Sequence, residues 1–180
     1  MALHWVNALP ALLSEVRRVL RPDGVFLAAT LGGETLAELR SAFVAAETER
    51  AGGVSPHISP MLGVPDAGNL LSGAGFGIPT IDSDIFTIGY PSPAALLEHL
   101  QAMGESGAAL AARPGARRDL LLAAVTAYSA LYGDAADGGA VPATFEVIHM
   151  IGWAPAEGQP KPLARGSVPK GFAKRIPASG

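Results

Sequence analysis

The sequence predicts an α/β domain, in which helices pack against a central sheet. Its first 53 residues read in order as helix, turn, buried strand, glycine turn and helix, which is the repeating unit of an open α/β sheet. Hydrophobic residues make up 49% of the 180 residues and charged residues only 16%. A packed core is therefore available, and wholesale disorder is excluded.

The first helix and strand have clear individual signals. Apolar residues recur at helical spacing after Asn7, the expected N-cap. Pro22 cannot continue that helix, and Asp23-Gly24 supplies a turn. Residues 25–31 are apolar at nearly every position, which is typical of a strand that is covered on both faces.

The second helix follows a break at Gly32-Gly33. Thr35 and Glu38 have the spacing of a capping box, and apolar residues from Leu36 to Ala46 share one side of the helix. Ligands of open α/β sheets bind beyond the carboxyl ends of the strands. In this chain that place is the turn over residues 31–35.

The remaining residues predict three helices, two strands and a tail. The helices are expected at 65–74, 93–103 and 117–132, and the strands at 79–90 and 143–153. The apolar run 120–131 is shorter than the ~20 residues that span a bilayer, so we expect a buried helix there. Residues 156–180 hold five basic residues without periodicity, so we expect a domain over 1–155 and a basic, flexible tail over 156–180.

Charge and composition exclude several function classes. The net charge of −3 argues against a nucleic-acid-binding domain. The chain has no cysteine, which excludes disulfides and thiolate zinc sites and fits an intracellular address. The four histidines lack metal-ligand spacing, and no secretory signal or transmembrane segment is visible. We therefore expect no metal, and the catalytic residues stay unknown.

Several polar residues have both a structural and a functional interpretation. His4-Trp5 is either a ligand contact or a packed tryptophan beside a surface histidine. The Gly32-to-Thr35 turn could admit an anion at a helix N-terminus, although double-glycine turns are common. His149 is expected to be a satisfied core or interface histidine, and Asp82 with Asp84 a solvated strand face.

Two groups of motifs carry a family resemblance. The segments Leu3-His4-Trp5-Val6-Asn7 and Leu20-Arg21-Pro22-Asp23-Gly24-Val25 are similar to the second half of a class I S-adenosylmethionine-dependent methyltransferase. Narrower motifs lie at 31–40, 54–60, 66–76, 142–148, 152–155 and 159–162. These resemble the methyltransferase-like family of the complex I assembly factor 5, an arginine hydroxylase, with its bacterial relatives. The malonyl-carrier-protein methyltransferases are more distant.

The resemblance implies a cofactor and a set of binding residues. The family cofactor is S-adenosylmethionine, and His4 and Trp5 would lie at the cofactor edge of the pocket. Glu34, Thr35 and Arg40 would contact substrate, with Arg40 paired either with Glu34 or with a substrate carboxylate. The implied sheet order places the strand at 143–153 between the strands at 25–31 and 79–90.

The resemblance covers only the C-terminal half of a Rossmann-like methyltransferase fold, a partial sheet with helices on both faces. The N-terminal half, with the glycine-rich cofactor loop, is expected to be absent. The strand at 25–31 would then have an exposed edge. We expect this edge to promote self-association, and we expect no cofactor binding by the chain alone.

Three functional hypotheses follow. The first is a methyltransferase-type protein whose chain supplies the substrate side of the pocket and acts on a protein or a small carboxylate. The second is a complex I assembly factor that hydroxylates arginine, or a non-catalytic module that docks a respiratory-complex subunit through helices between Ser92 and Tyr132. The third is a truncated gene product. A bacterial cytoplasm is favoured, or the matrix side of the inner mitochondrial membrane in a eukaryote.

Overall fold

A computed structural model describes residues 3–50, 52–53, 57–58, 61–105 and 118–160. The α-helices are α1 (Leu9–Val19), α2 (Ala37–Arg50), α3 (Val64–Gly73), α4 (Pro93–Ala102) and α5 (Arg118–Tyr132). The strands are β1 (Val25–Leu31), β2 (Gly77–Tyr90) and β3 (Val141–Trp153). Short 3₁₀ helices span Leu3–Trp5 and Ala135–Asp137. The predicted elements therefore form, with small shifts at their ends.

The three strands form one sheet in the order β1-β3-β2, with both pairs antiparallel. The β1–β3 register runs from Val25 opposite Trp153 to Leu31 opposite Val147. The β2 strand pairs along the other side of β3, as far as Tyr90 opposite Val141. The sheet order implied by the family resemblance is confirmed, and the last strand of the chain is the centre of the sheet.

Two hydrophobic clusters cover opposite faces of β3, because successive side chains of a strand point to opposite sides. Phe145 and its neighbours two residues apart pack with residues of α2, α4 and α5. Ile148 and Met150 pack with residues of α1 and α3. The expected partial α/β sheet with helices on both faces is confirmed.

The prediction that β1 is covered on both faces is wrong for its first half. Val25 is 53% exposed and Leu27 is 70% exposed, whereas Thr30 and Leu31 are buried. The reason is that only one face of this half is covered: Phe26 packs with the α1–α3 side of the core, whereas Val25 and Leu27 point to the opposite face. In the described part of the chain β1 pairs with β3 alone, which gives the open sheet edge that the resemblance implies.

Two predicted helix starts are also wrong. The N-cap of α1 is Ala8 and not Asn7, and no side-chain hydrogen bond caps this helix. Fewer first-turn N–H groups need a cap here, because a proline in the first turn has no N–H. The capping box does not form either, because Thr35 and Glu38 both bond to β3 instead. By contrast, Ser92 caps α4 by accepting a hydrogen bond from the Ala95 amide.

The run 120–131 is only partly buried. Ala124 and Tyr128 of α5 are fully buried, but Leu122 and Leu131 are more than half exposed, so the prediction of a buried helix is wrong for the outer face. No helix in the described part of the chain is long and apolar enough to cross a membrane. Most of the predicted tail, residues 161–180, lies outside the described residues.

Candidate functional site

A cavity of about 330 Å³ opens beside the carboxyl end of β1. Its walls are mostly apolar and are contributed by the sheet and by α4; they include Leu31, Leu36, Phe86, Leu100, Phe145 and Val147. The polar lining side chains are those of His4, Thr35, Tyr90, His99 and Glu105. An apolar cavity with a few convergent polar groups is the usual form of a small-molecule site.

His4 and Glu105 form a buried pair in this cavity. The His4 Nε2 atom lies 2.8 Å from the Glu105 Oε1 atom, and the two side chains are 2% and 13% exposed. The other ring nitrogen, Nδ1, is buried and has no hydrogen-bond partner among the residues that the structure describes. When Nε2–H donates to the carboxylate, Glu105 fixes the ring orientation and Nδ1 keeps a free lone pair.

Tyr90 and His99 form a second polar pair in the same lining. The Tyr90 hydroxyl lies 2.6 Å from His99 Nδ1. Burial raises the pKa of the Tyr90 phenol, so this hydroxyl stays protonated at neutral pH and can donate to the ring nitrogen. The cavity thus brings two histidines, one phenol and one carboxylate together.

A larger cavity of about 620 Å³ adjoins the first one. One wall of this cavity is formed by the start of the chain and α1, and the opposite wall by α3. Its lining includes the polar side chains of Ser14, Asp66 and Asn69. His4 and Met61 line both cavities. His4 is therefore on the boundary between two spaces that a ligand could occupy.

The turn at residues 32–35 is shaped by Glu146 of β3. The Glu34 amide donates to Glu146 Oε2 at 3.0 Å, and the Thr35 hydroxyl exchanges hydrogen bonds with the Glu146 backbone. A Cβ atom on Gly32 would lie 2.4 Å from the Glu146 carboxylate. Only glycine leaves room at position 32 for this buried carboxylate.

Arg40 and Glu38 fasten the same turn from the helix side. The guanidinium of Arg40 donates to the carbonyl oxygens of Gly33 at 3.2 Å and Thr35 at 3.3 Å. Arg40 therefore bonds to the backbone of the turn and not to Glu34, and its alternative pairing with a substrate carboxylate stays a prediction. Glu38 accepts from the amide and the hydroxyl of Thr144, which joins α2 to β3.

The five predicted binding residues have different positions. His4 and Thr35 line the smaller cavity. Trp5 is 45% exposed and its ring centroid lies 5.7 Å from that of His4. Glu34 and Arg40 are exposed. The structure thus places two of the five side chains in the cavity wall and the other three at more exposed positions.

Four residues around the site were missed by sequence reasoning. Glu146 could have been noticed as a carboxylate inside an apolar strand. Tyr90, His99 and Glu105 carry no local motif, and only the tertiary fold brings them near His4.

His149 is not a core histidine, so the core alternative is wrong and the interface alternative stays a prediction. Its side chain is 45% exposed and its Nε2 lies 3.5 Å from Asp84 Oδ2, because it projects from β3 opposite the polar stretch of β2. Asp82 and Asp84 are exposed, so the solvated strand face is confirmed. Among the described residues, no group of three or more histidine or carboxylate side chains could hold a metal ion.

Comparisons with known proteins give close relatives. The chain is 47% identical over 173 residues to the mitochondrial arginine-hydroxylase NDUFAF5 of Danio rerio, covering 96% of this chain and 53% of the relative. It is 46% identical to the human NDUFAF5, covering 97% of this chain and 50% of the relative. The malonyl-[acyl-carrier protein] O-methyltransferase of Xylella fastidiosa (strain M23) is 35% identical, with 92% of this chain and 52% of that protein covered.

The chain thus spans about half the length of the curated relatives it matches. No family profile matches it. A crystal structure of a Bacillus halodurans protein assigned to the methyltransferases superposes with a TM-score of 0.50 at 16% identity, covering 86% of this chain and 62% of that one. At this identity the superposition shows the fold alone. The chain is therefore a close homologue of the NDUFAF5 arginine-hydroxylases, with a class I S-adenosylmethionine-dependent methyltransferase-like fold.

Proposed function

We propose that this chain supplies the substrate side of the pocket in a methyltransferase-type protein, and that the 330 Å³ cavity holds the acceptor group. The observation that carries the proposal is the meeting of His4, Glu105 and Tyr90 in one apolar cavity beside the end of β1. Ligands of α/β sheets bind at this end of the strands. Residues 1–155 would form this domain, with 156–180 as a basic tail.

The cofactor of this proposal is S-adenosylmethionine, which supplies the methyl group when bound. His4 and Trp5 fit the edge of such a site. The indole of Trp5 is 45% exposed beside the His4 ring, and an exposed aromatic face can lie against a flat ligand. His4 and Met61 border both cavities, so donor and acceptor sites would share these two side chains.

The lining of the cavity favours one acceptor class over the other. Glu105 places a carboxylate in an apolar wall, where it attracts cations and hydrogen-bond donors and repels anions. A protein side chain with an N–H or O–H group therefore fits better than a small carboxylate. Glu34, Thr35 and Arg40 would act at the rim, where Arg40 holds the turn through the backbone.

A second candidate function is hydroxylation of a protein arginine. It is favoured by the identities of 47% and 46% to two NDUFAF5 arginine-hydroxylases, against 35% to the O-methyltransferase. A guanidinium could pair with Glu105 in either reaction. The proposed partner in this case is a subunit of a respiratory complex, on the matrix side in mitochondria or in a bacterial cytoplasm. The open edge of β1 offers a second contact, through which copies of the chain would self-associate.

One experiment separates the two candidates. The full-length native protein is incubated in air with methyl-labelled S-adenosylmethionine, a two-electron reductant and an arginine-containing peptide, and the peptide is analysed by mass spectrometry. Dioxygen and the reductant supply the oxygen atom and the electrons that hydroxylation needs. Methyl transfer adds one labelled methylene unit, whereas hydroxylation adds one oxygen atom and no label. A peptide that gains neither would contradict both candidates.

A matched pair of variants links the reaction to the cavity. Glu105→Gln removes the charge from the lining, and we expect it to raise KM for the peptide. Glu49→Gln removes a carboxylate from the exposed side of α2, and we expect unchanged kinetics. Equal kinetics of the two variants would exclude Glu105 from acceptor binding.

A further inference from the structure

The Tyr90–His99 pair connects the interior of the cavity with solvent. Both residues line the cavity, but their exposures differ: Tyr90 is only 7% exposed, whereas His99 lies on an exposed position of α4. The Tyr90 hydroxyl and His99 Nδ1 are 2.6 Å apart, a short distance for an O–H···N contact. A proton that reaches the Tyr90 oxygen therefore has a direct route outward.

We propose that Tyr90 and His99 carry the proton of the acceptor group from the cavity to solvent. The inference rests on the proposed function and deepens it, because only a protic acceptor has a proton to lose. The acceptor would then be a hydroxyl, an amine or a guanidinium nitrogen, and not a carboxylate.

The reaction moves one methyl group onto the acceptor and one proton from the acceptor to water. The acceptor atom uses a lone pair to bond to the methyl carbon, and the electron pair of the broken carbon–sulfur bond stays on sulfur. The acceptor is left with one proton in excess, which passes to Tyr90 Oη while the hydroxyl proton of Tyr90 passes to His99 Nδ1. His99 then loses its Nε2 proton to water, and exchange with water restores the starting tautomer.

The fold holds this pair in place from two elements. Tyr90 is the last residue of β2 and pairs with Val141 of β3. His99 lies in the last turn of α4, whose start is fixed by the Ser92 cap. Because burial raises the pKa of Tyr90, the phenol remains a neutral donor between transfers. Tyr90 would touch the acceptor, and His99 would act through Tyr90.

The test measures methyl transfer by the native protein from labelled S-adenosylmethionine to two probes, a peptide with arginine and lysine side chains and a malonyl thioester. The variants are Tyr90→Phe and His99→Asn. The amide oxygen of Asn can still accept the Tyr90 hydrogen bond but cannot take up a proton. For both variants we expect kcat on the peptide to fall by about 100-fold, the usual scale of acid–base catalysis, with little change in KM.

Two further measurements separate a relay from a structural role. Added imidazole should restore part of the rate to a His99→Ala variant, and His149→Asn, a control at an exposed histidine outside both cavities, should retain full activity. Thermal melting shows that each variant is folded.

The inference is overturned if the native protein methylates the peptide while Tyr90→Phe and His99→Asn keep its rate, or if only the carboxylate of the thioester is methylated. If the native protein methylates neither probe, the proposed methyl transfer itself fails. This outcome differs from a failure of the proton relay alone, because it is seen with the native protein before any variant is made.

Discussion

The contact between Gly32 and Glu146 gives a sharp prediction for the turn that borders the cavity. A Cβ atom at position 32 would lie 2.4 Å from the Cδ and Oε2 atoms of Glu146, whereas ordinary contacts begin near 3.4 Å. In Gly32→Ala the carboxylate must therefore move by about 1 Å. Such a movement lengthens the 3.0 Å bond from the Glu34 amide beyond hydrogen-bond range.

The magnitude follows from the bond that is lost. A hydrogen bond to a charged group contributes about 1.5–3 kcal/mol, and we expect Gly32→Ala to lower the free energy of unfolding by that amount. Glu146→Ala removes the same bond and should lower the free energy of unfolding by a similar amount, because the Glu34 amide is left without its acceptor. The double variant should lose no more stability than Glu146→Ala alone, since the Glu146 side chain that would clash with the new Cβ atom is absent. The coupling between the two sites is then about 2 kcal/mol.

Equilibrium unfolding in urea measures these free energies, with equal m-values as the check on two-state behaviour. Gly89→Ala is the matched control, because nothing lies within 4 Å of the added Cβ atom. Additive costs in the double variant would refute the proposed contact between position 32 and Glu146.

Three other predictions concern the rest of the structure. Glu105→Ala should lower the free energy of unfolding by about 2 kcal/mol, since it removes the partner of the buried His4 ring. Glu105→Gln should lower the free energy of unfolding by less, because the amide can still bond to the ring. Equal urea midpoints for the two variants would contradict this. Burial raises the pKa of Tyr128 in the folded state. The stability that its neutral phenol contributes is therefore complete below pH ~10, the pKa of an unfolded tyrosine. That stability is lost as the pH rises from there towards the pKa of Tyr128 in the folded protein. Tyr128→Phe loses the bond to the Pro142 carbonyl and should be less stable at neutral pH by about 1 kcal/mol, but its urea midpoint should fall less at alkaline pH. Leu27→Lys places a charge on the exposed face of the edge strand β1, where a second copy pairing with the open edge would bury it. The variant should weaken self-association in sedimentation velocity without lowering the melting temperature; a native chain that is already monomeric would refute the edge contact.

Most of the fold could be predicted from the sequence because local signals and family motifs agree. The limits of β1 are those of a run that is apolar at nearly every position and lies between a turn and two glycines. Ser92-Pro93 marks the start of α4. The exposure of Leu27 could not be predicted from the run, since burial depends on what packs against each face of β1 and not on the composition of the strand.

The candidate site was harder to predict because it is assembled from distant parts of the chain. His4 and Glu105 are separated by 101 positions, and Glu34 and Glu146 by 112. Thr35 and Glu38 have the spacing of a helix cap, but their side chains accept hydrogen bonds from β3 instead of from the helix backbone. A local pattern predicts local bonds, and here tertiary bonds replace them.

The most direct test of the proposed function is a crystal structure of the native protein with S-adenosylhomocysteine and an arginine-containing peptide. We expect a side chain of the peptide to enter the 330 Å³ cavity, with its polar end within hydrogen-bond reach of Glu105 and Tyr90. A peptide bound elsewhere, with the cavity between β2, β3 and α4 empty of any acceptor group, would contradict the proposed function.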